Sequence, residues 1–139
     1  MTTASNNQEF PPKGLNPESV WKHFAALCRI PRPSKHEERI RDHLVQWANA
    51  QGLENLIDRG GNLIIRKPAS PGRENAPGII LQAHLDMVCQ KNDAIAHDFL
   101  NDPIHPVIHG NLVLAENTTL GADDGIGVAL ALAALEDRT

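Results

Sequence analysis

Tyrosine is missing from this chain of 139 residues, and the other aromatics are scarce, with three Phe and two Trp. With its Lys and Arg scattered, the chain has no basic stripe interleaved with aromatics, so a nucleic-acid partner is not expected. Cysteine is nearly missing too: Cys28 and Cys89 stand in unlike contexts without CxxC spacing. That excludes a disulfide framework and fits a reducing compartment. No apolar run reaches the ~18 residues that read as a membrane span, so no membrane partner is expected. The start, Met1 to Gly14, carries Pro11 and Pro12 but neither the basic onset nor the apolar stretch of a secretory signal. It is expected to be a flexible tail (1–14) of a cytoplasmic protein. The remaining residues, at a net charge of −4, have the composition of one modest soluble domain.

Past the tail, element types alternate. Asn16 is placed to cap a helix with Pro17 at its first position, and Val20, Phe24, Leu27 and Cys28 recur at helical spacing until Pro31 and Pro33 stop it. Ser34 and Glu37 have the spacing of a capping box, followed by an apolar face of Ile40, Leu44, Trp47 and Ala48 and a stop at Gly52. Residues 55–59 and 62–66 predict two strands of a tight hairpin around Gly60-Gly61. Ile79-Ile80-Leu81 opens a continuous apolar strand, expected to be covered on both faces. Residues 87–111 are expected to be a long polar loop, Leu112–Ala115 a short strand, and 126–136 a final helix. The fold class is therefore α/β, a mixed sheet flanked by helices.

Two short motifs carry chemistry. At the end of the apolar strand, His84-Leu85-Asp86 puts an imidazole and a carboxylate on one side of an extended segment, so that the carboxylate can hold one ring nitrogen while the other faces a metal. That spacing is common by chance, and a histidine merely satisfied by its neighbour is the bland alternative. The second motif, Thr119-Leu120-Gly121-Ala122-Asp123-Asp124-Gly125-Ile126-Gly127, sets two carboxylates among glycines where a helix begins. Asp124 reads as a helix-terminal cap, favoured by the dipole. The glycines allow close backbone approach and suit Asp123 to a carboxylate shared by two metal ions ~3.5 to 4 Å apart. The same glycines fit a dinucleotide-binding dehydrogenase, but two acids would face the phosphates, the motif lies late in the chain, and no tyrosine is there to serve as the acid. His23, His36 and His43 are placed on helices; His97, His105 and His109 lie in the loop without ligand spacing, and Cys89 reads as packing.

Four segments in order, Ile30-Pro31-Arg32-Pro33-Ser34, residues 61–68, residues 81–92 and residues 119–127, closely resemble the cytosol non-specific dipeptidases, also called aminoacyl-histidine dipeptidases or peptidase D. These sit among the co-catalytic zinc peptidases that include carboxypeptidase G and the aminoacylases. The resemblance implies that residues 15–139 are the N-terminal portion of a metallopeptidase catalytic domain. It implies a metal ligand at His84, a carboxylate at Asp86 that orients it, and a bridging ligand at Asp123, with two zinc ions, or cobalt or manganese in substitution. It further implies hydrolysis of unblocked dipeptides, Xaa-His among them, by a homodimeric full-length enzyme. The family's Glu-Glu pair, later Asp and distant His are not in these residues, so the chain alone is expected to be an inactive fragment. A non-catalytic α/β module is the alternative from another class.

Overall fold

A computed structural model describes residues 10–138; most of the expected N-terminal tail, residues 1–9, lies outside them. Phe10, within the expected tail, packs edge-on against Trp21 and Phe24, with ring centroids 6.1 and 6.3 Å away.

Helix α1 runs Glu18–Cys28, and Val20, Phe24, Leu27 and Cys28 are all buried, as their spacing predicts. Its start differs from expectation. Asn16 turns its side-chain amide to the Gly14 carbonyl, and Pro17 takes the capping position without a side-chain hydrogen bond. Helix α2 (Glu38–Ala50) buries Ile40, Leu44 and Ala48, while Trp47 is only partly covered and meets the His23 ring edge-on at 5.5 Å. It stops where Gly52 takes φ +70°, letting the Gly52 and Leu53 amides reach back to the Asn49 and Ala48 carbonyls. The capping box does not form. Glu37 accepts from the Lys35 amide at 2.7 Å, and the Ser34 hydroxyl is used elsewhere.

Strands β1 (Glu54–Ile57) and β2 (Leu63–Arg66) form an antiparallel hairpin with Ile57 opposite Leu63. The strands stop short of the Gly60-Gly61 pair because Asp58 organises the connection. Its Oδ1 accepts the amides of Gly60 (2.8 Å) and Asn62 (2.9 Å), and its Oδ2 accepts the Asn62 side chain (2.9 Å).

The predicted loop 87–111 is in part a strand. Pro106–His109 is β3, paired antiparallel with β4 (Leu112–Ala115) across a two-residue turn at Gly110-Asn111, where Gly110 has φ +61°. Gly-Asn between two apolar stretches is a hairpin signature, obscured here by the flanking His and Pro.

Ile79, Ile80 and Leu81 are 86, 91 and 59% exposed, and no ladder pairs them among the described residues. The expected cover on both faces is thus not present there. A strand of that kind needs a hydrogen-bonded neighbour on each side and helices above and below, and β1–β2 and β3–β4 pair only with each other. The α/β class stands, with two small antiparallel ladders as its sheets.

Helix α3 (Ala122–Glu136) packs on α1, burying Val128, Ala129 and Leu132. Asp123 and Asp124 have non-helical backbone angles, so the regular helix starts close to the predicted 126. At its far end the Lys67 ammonium donates to the Ala134 and Asp137 carbonyls, satisfying acceptors that the helix leaves open. Among the described residues no helix is long and apolar enough to cross a membrane.

Candidate functional site

Three segments meet at one end of α3: the turn after α1 (residues 30–34), the stretch 84–92, and the turn 117–121. Backbone contacts join them. The Met87 amide donates to the Arg32 carbonyl at 3.0 Å, the Thr119 amide to Gln90 at 2.8 Å, and the Asn92 amide to Asn117 at 2.9 Å. The Thr119 hydroxyl donates to the Val88 carbonyl at 2.7 Å.

This frame brings His84, Asp86 and Asp123 together. His84 Nε2 lies 3.1 Å from Asp123 Oδ1, across 39 residues of sequence. On the other side of the ring, Nδ1 lies 3.1 Å from both the backbone oxygen and Oδ1 of Asp86. Asp86 is held in turn by the Ser34 hydroxyl, which donates to its Oδ2 at 2.5 Å. His84 and Asp123 thus meet from irregular backbone, His84 on a segment outside any strand and Asp123 on the non-helical start of α3.

Electrostatics follow the contacts. Burial works against the His84 imidazolium, but the hydrogen bonds to Asp123 and to the Asp86 backbone, with the charges of both carboxylates, outweigh it and raise the pKa above its ordinary value. For Asp86 the Ser34 hydroxyl is the largest influence; with the charge of His84 it overcomes burial and holds the carboxyl below the usual range. Asp123 is 97% exposed at its side chain and His84 53%, so both are open to a solute.

The donor set can be tested against a metal. A neutral imidazole whose Nδ1–H is taken by Asp86 turns the Nε2 lone pair towards Asp123, and a carboxylate oxygen is the second donor type zinc accepts. Two ligands of one zinc ion sit ~3 to 4 Å apart, so this pair fits as part of a shell. It is not a whole one: among the described residues no group of three or more His, Cys, Asp or Glu is arranged to hold a metal.

The comparisons with known proteins bear on this arrangement. Over 124 residues the chain is 53% identical to the cytosol non-specific dipeptidase of Escherichia coli (strain K12), covering 89% of this chain and 26% of that protein. The chain resembles a quarter of a dipeptidase. A crystal structure of aminoacylhistidine dipeptidase from Vibrio alginolyticus superposes with a TM-score of 0.88 at 51% identity, over 90% of this chain and 26% of that one. No protein-family model matches.

The other candidates fall outside the His84, Asp86 and Asp123 cluster. A Cβ at Gly127 would stand 2.2 Å from Asp124 Oδ1, so Asp124 folds back over the first turn of α3, though without a capping hydrogen bond. His109 Nε2 is 3.4 Å from Glu116, and His97 stacks edge-on with Phe99 at 4.5 Å. Cys89 donates weakly to the Met87 carbonyl at 3.6 Å, and burial raises its pKa. His36 precedes α2 rather than lying on a helix. His23 is buried, with Nε2 3.0 Å from Glu136 Oε2 but not aligned as a hydrogen bond.

Two residues of the cluster were not singled out from the sequence. Ser34 has the spacing of a helix cap, yet its hydroxyl goes to Asp86. Arg32, only 2% exposed, sends Nη1 to the carbonyls of Leu85 (3.0 Å) and Asp86 (3.4 Å) and Nη2 to that of Gly121 (2.7 Å). Burial pulls its pKa below the ordinary arginine value, against nearby negative charge. An arginine between two prolines, in a turn joining two apolar helices, was the available signal. The guanidinium also accounts for two of the glycines: a Cβ at Gly121 or Gly125 would stand 2.7 Å from Arg32 Nη2.

Proposed function

We propose that the chain is the N-terminal portion of a zinc-dependent dipeptidase, with His84 and Asp123 as ligands and Asp86 as the carboxylate that orients His84. The observation that carries this reading is the 3.1 Å approach of His84 Nε2 to Asp123 Oδ1, with Asp86 on the opposite ring nitrogen. The names of the E. coli and Vibrio relatives support dipeptides as the substrate class, aminoacyl-histidine dipeptides (Xaa-His) among them, and that these are unblocked rests on the motif resemblance. The E. coli protein's name also supports a cytosolic location. Two co-catalytic zinc ions, with cobalt or manganese able to replace them, and a homodimeric full-length protein are parts of the proposal that rest on the motif resemblance.

In this reading Asp86 accepts a hydrogen bond from Nδ1–H and leaves the Nε2 lone pair free for a metal, while Ser34 keeps the Asp86 carboxylate turned to the ring. Asp123, open to solvent, offers two oxygens for two ions. A zinc ion held by His84 and Asp123 would supply Lewis acidity for the peptide carbonyl and for the attacking water. The chain spans about a quarter of the length of its relatives, so the general base and remaining ligands are looked for in residues beyond these.

The test is a Co(II) or Zn(II) titration of the purified chain beside His84→Ala and Asp123→Ala. Weak binding lost in both variants is expected; binding indifferent to both defeats the reading. Extending the reading frame past Thr139 should reveal a Glu-Glu pair, and the extended protein should hydrolyse a simple dipeptide in a zinc-dependent manner.

A further inference from the structure

Arg32 belongs to neither chemical motif, yet its guanidinium touches the backbone of both. Leu85 adjoins His84 and Gly121 lies two residues before Asp123, and both carbonyls accept from the same planar group, at 3.0 and 2.7 Å. The fork of a guanidinium is rigid, so two carbonyls bound to its two terminal nitrogens keep a set separation. Three further features single this contact out. The side chain is almost fully buried, where screening by water is least. Gly121 and Gly125 both leave room for it, and in neither place would a Cβ fit without displacing Nη2. Its Nε is buried without a partner. An orphaned buried donor is a cost, so the arrangement is not the one that serves stability best.

We propose that Arg32 is the positioning residue of the site, a clamp that sets the separation of His84 and Asp123 and so the affinity of that pair for a divalent cation. This inference rests on the reading of the pair as metal ligands. Lysine is not an equivalent, because its three donors rotate about a single flexible point and cannot fix the separation of two carbonyls as a planar fork does. Arg32 itself offers no lone pair to a cation and acts only through the two turns.

The test uses the full 139-residue chain. Metal-free NMR reads the nuclear Overhauser contact between the His84 ring and the Asp123 β-protons, Co(II) titration reads affinity, and circular dichroism with thermal melting reads the fold. In Arg32→Lys the contact should vanish and cobalt affinity fall ~10 to 100-fold, the scale of losing a group that orients ligands, with cooperative melting retained. Gly125→Ala would place a Cβ 2.7 Å from Nη2, displacing the guanidinium, and should do the same; the two changes together should lose no more than one. If Arg32→Lys does not fold, Gly125→Ala alone decides. Wild-type contact and affinity in the folded variants overturn the proposal, as do additive losses, which would place the effect of the glycine elsewhere. A wild-type chain that shows the contact, loses it in the variants and never binds cobalt overturns the metal reading while leaving the clamp in place.

Discussion

Ser34 and Asp86, 52 residues apart, are joined by a hydroxyl-to-carboxylate hydrogen bond of 2.5 Å, and Asp86 in turn holds Nδ1 of His84. A serine with the spacing of a helix cap is instead the outermost member of a chain of contacts that ends at Asp123. Sequence periodicity describes only near neighbours, whereas this contact depends on the turn after α1 lying against residues 84–87, where Pro33 and Met87 form a parallel bridge.

Substitutions along that chain should act in a graded order. Asp123→Ala removes a donor and should abolish metal binding. Asp86→Ala removes the partner that orients His84 and should weaken binding ~10 to 100-fold, and Ser34→Ala should weaken it less, in the same direction. If the proposed dipeptidase reading holds, Asp86→Ala in an extended protein should lower turnover more than zinc content. Metal analysis giving the reverse order for Asp86 and Asp123 would mean their roles are exchanged.

The isolated chain should be inactive and prone to associate. With added zinc no dipeptidase activity is expected, because a catalytic zinc usually takes three protein ligands and only two are brought together among the described residues. Burying one large apolar side chain stabilises by roughly 1.5 to 3 kcal/mol. Ile79 and Ile80, 86 and 91% exposed on an unpaired segment, are therefore the expected contact between copies. Sedimentation should show Ile80→Lys more monomeric than wild type. Zinc-dependent cleavage lost on His84→Ala would contradict the first half of this expectation.

The β1–β2 connection should loosen in acid. The Asn62 side chain, then backbone amides, hold the Asp58 carboxyl below its ordinary range against a small effect of burial. The folded pKa is the depressed one, so this contribution is present above the unfolded aspartate value and is lost as pH falls through the folded one. Amide exchange at Gly60 and Asn62 should quicken over that window, and in Asn62→Ala the onset should move to higher pH.

The thiols should differ sharply. Burial pushes Cys28 up to about 12, with the Arg32 charge pulling the other way, so its thiolate is scarce at neutral pH. Iodoacetamide at pH 8 should label Cys89 first in the native chain and Cys28 only after unfolding. Equal native labelling would show that the seam between α1 and its neighbours opens readily.

Local pattern determined a good share of this protein. The apolar positions of α1 and α2 could be read from their spacing because a helix repeats every 3.6 residues whatever it packs against. The stop at Gly52 could be read because a left-handed residue ends a helix at little cost when it is glycine. Asp123 stands out for its glycine setting, whereas the His84-Asp86 spacing is common by chance and gains its weight from the resemblance of the four segments in order. Tertiary structure decided the rest. Ile79–Leu81 has the pattern of a covered strand, but cover comes from other segments, and none of the described residues provides it. Strand β3 depends on a partner across Gly110-Asn111 to overcome a poor composition of its own. Arg32 and Ser34 gain their significance only where three segments, distant in sequence, close on one another. Hydrogen bonds between such segments leave no period in the sequence, because they are set by packing rather than by the local backbone.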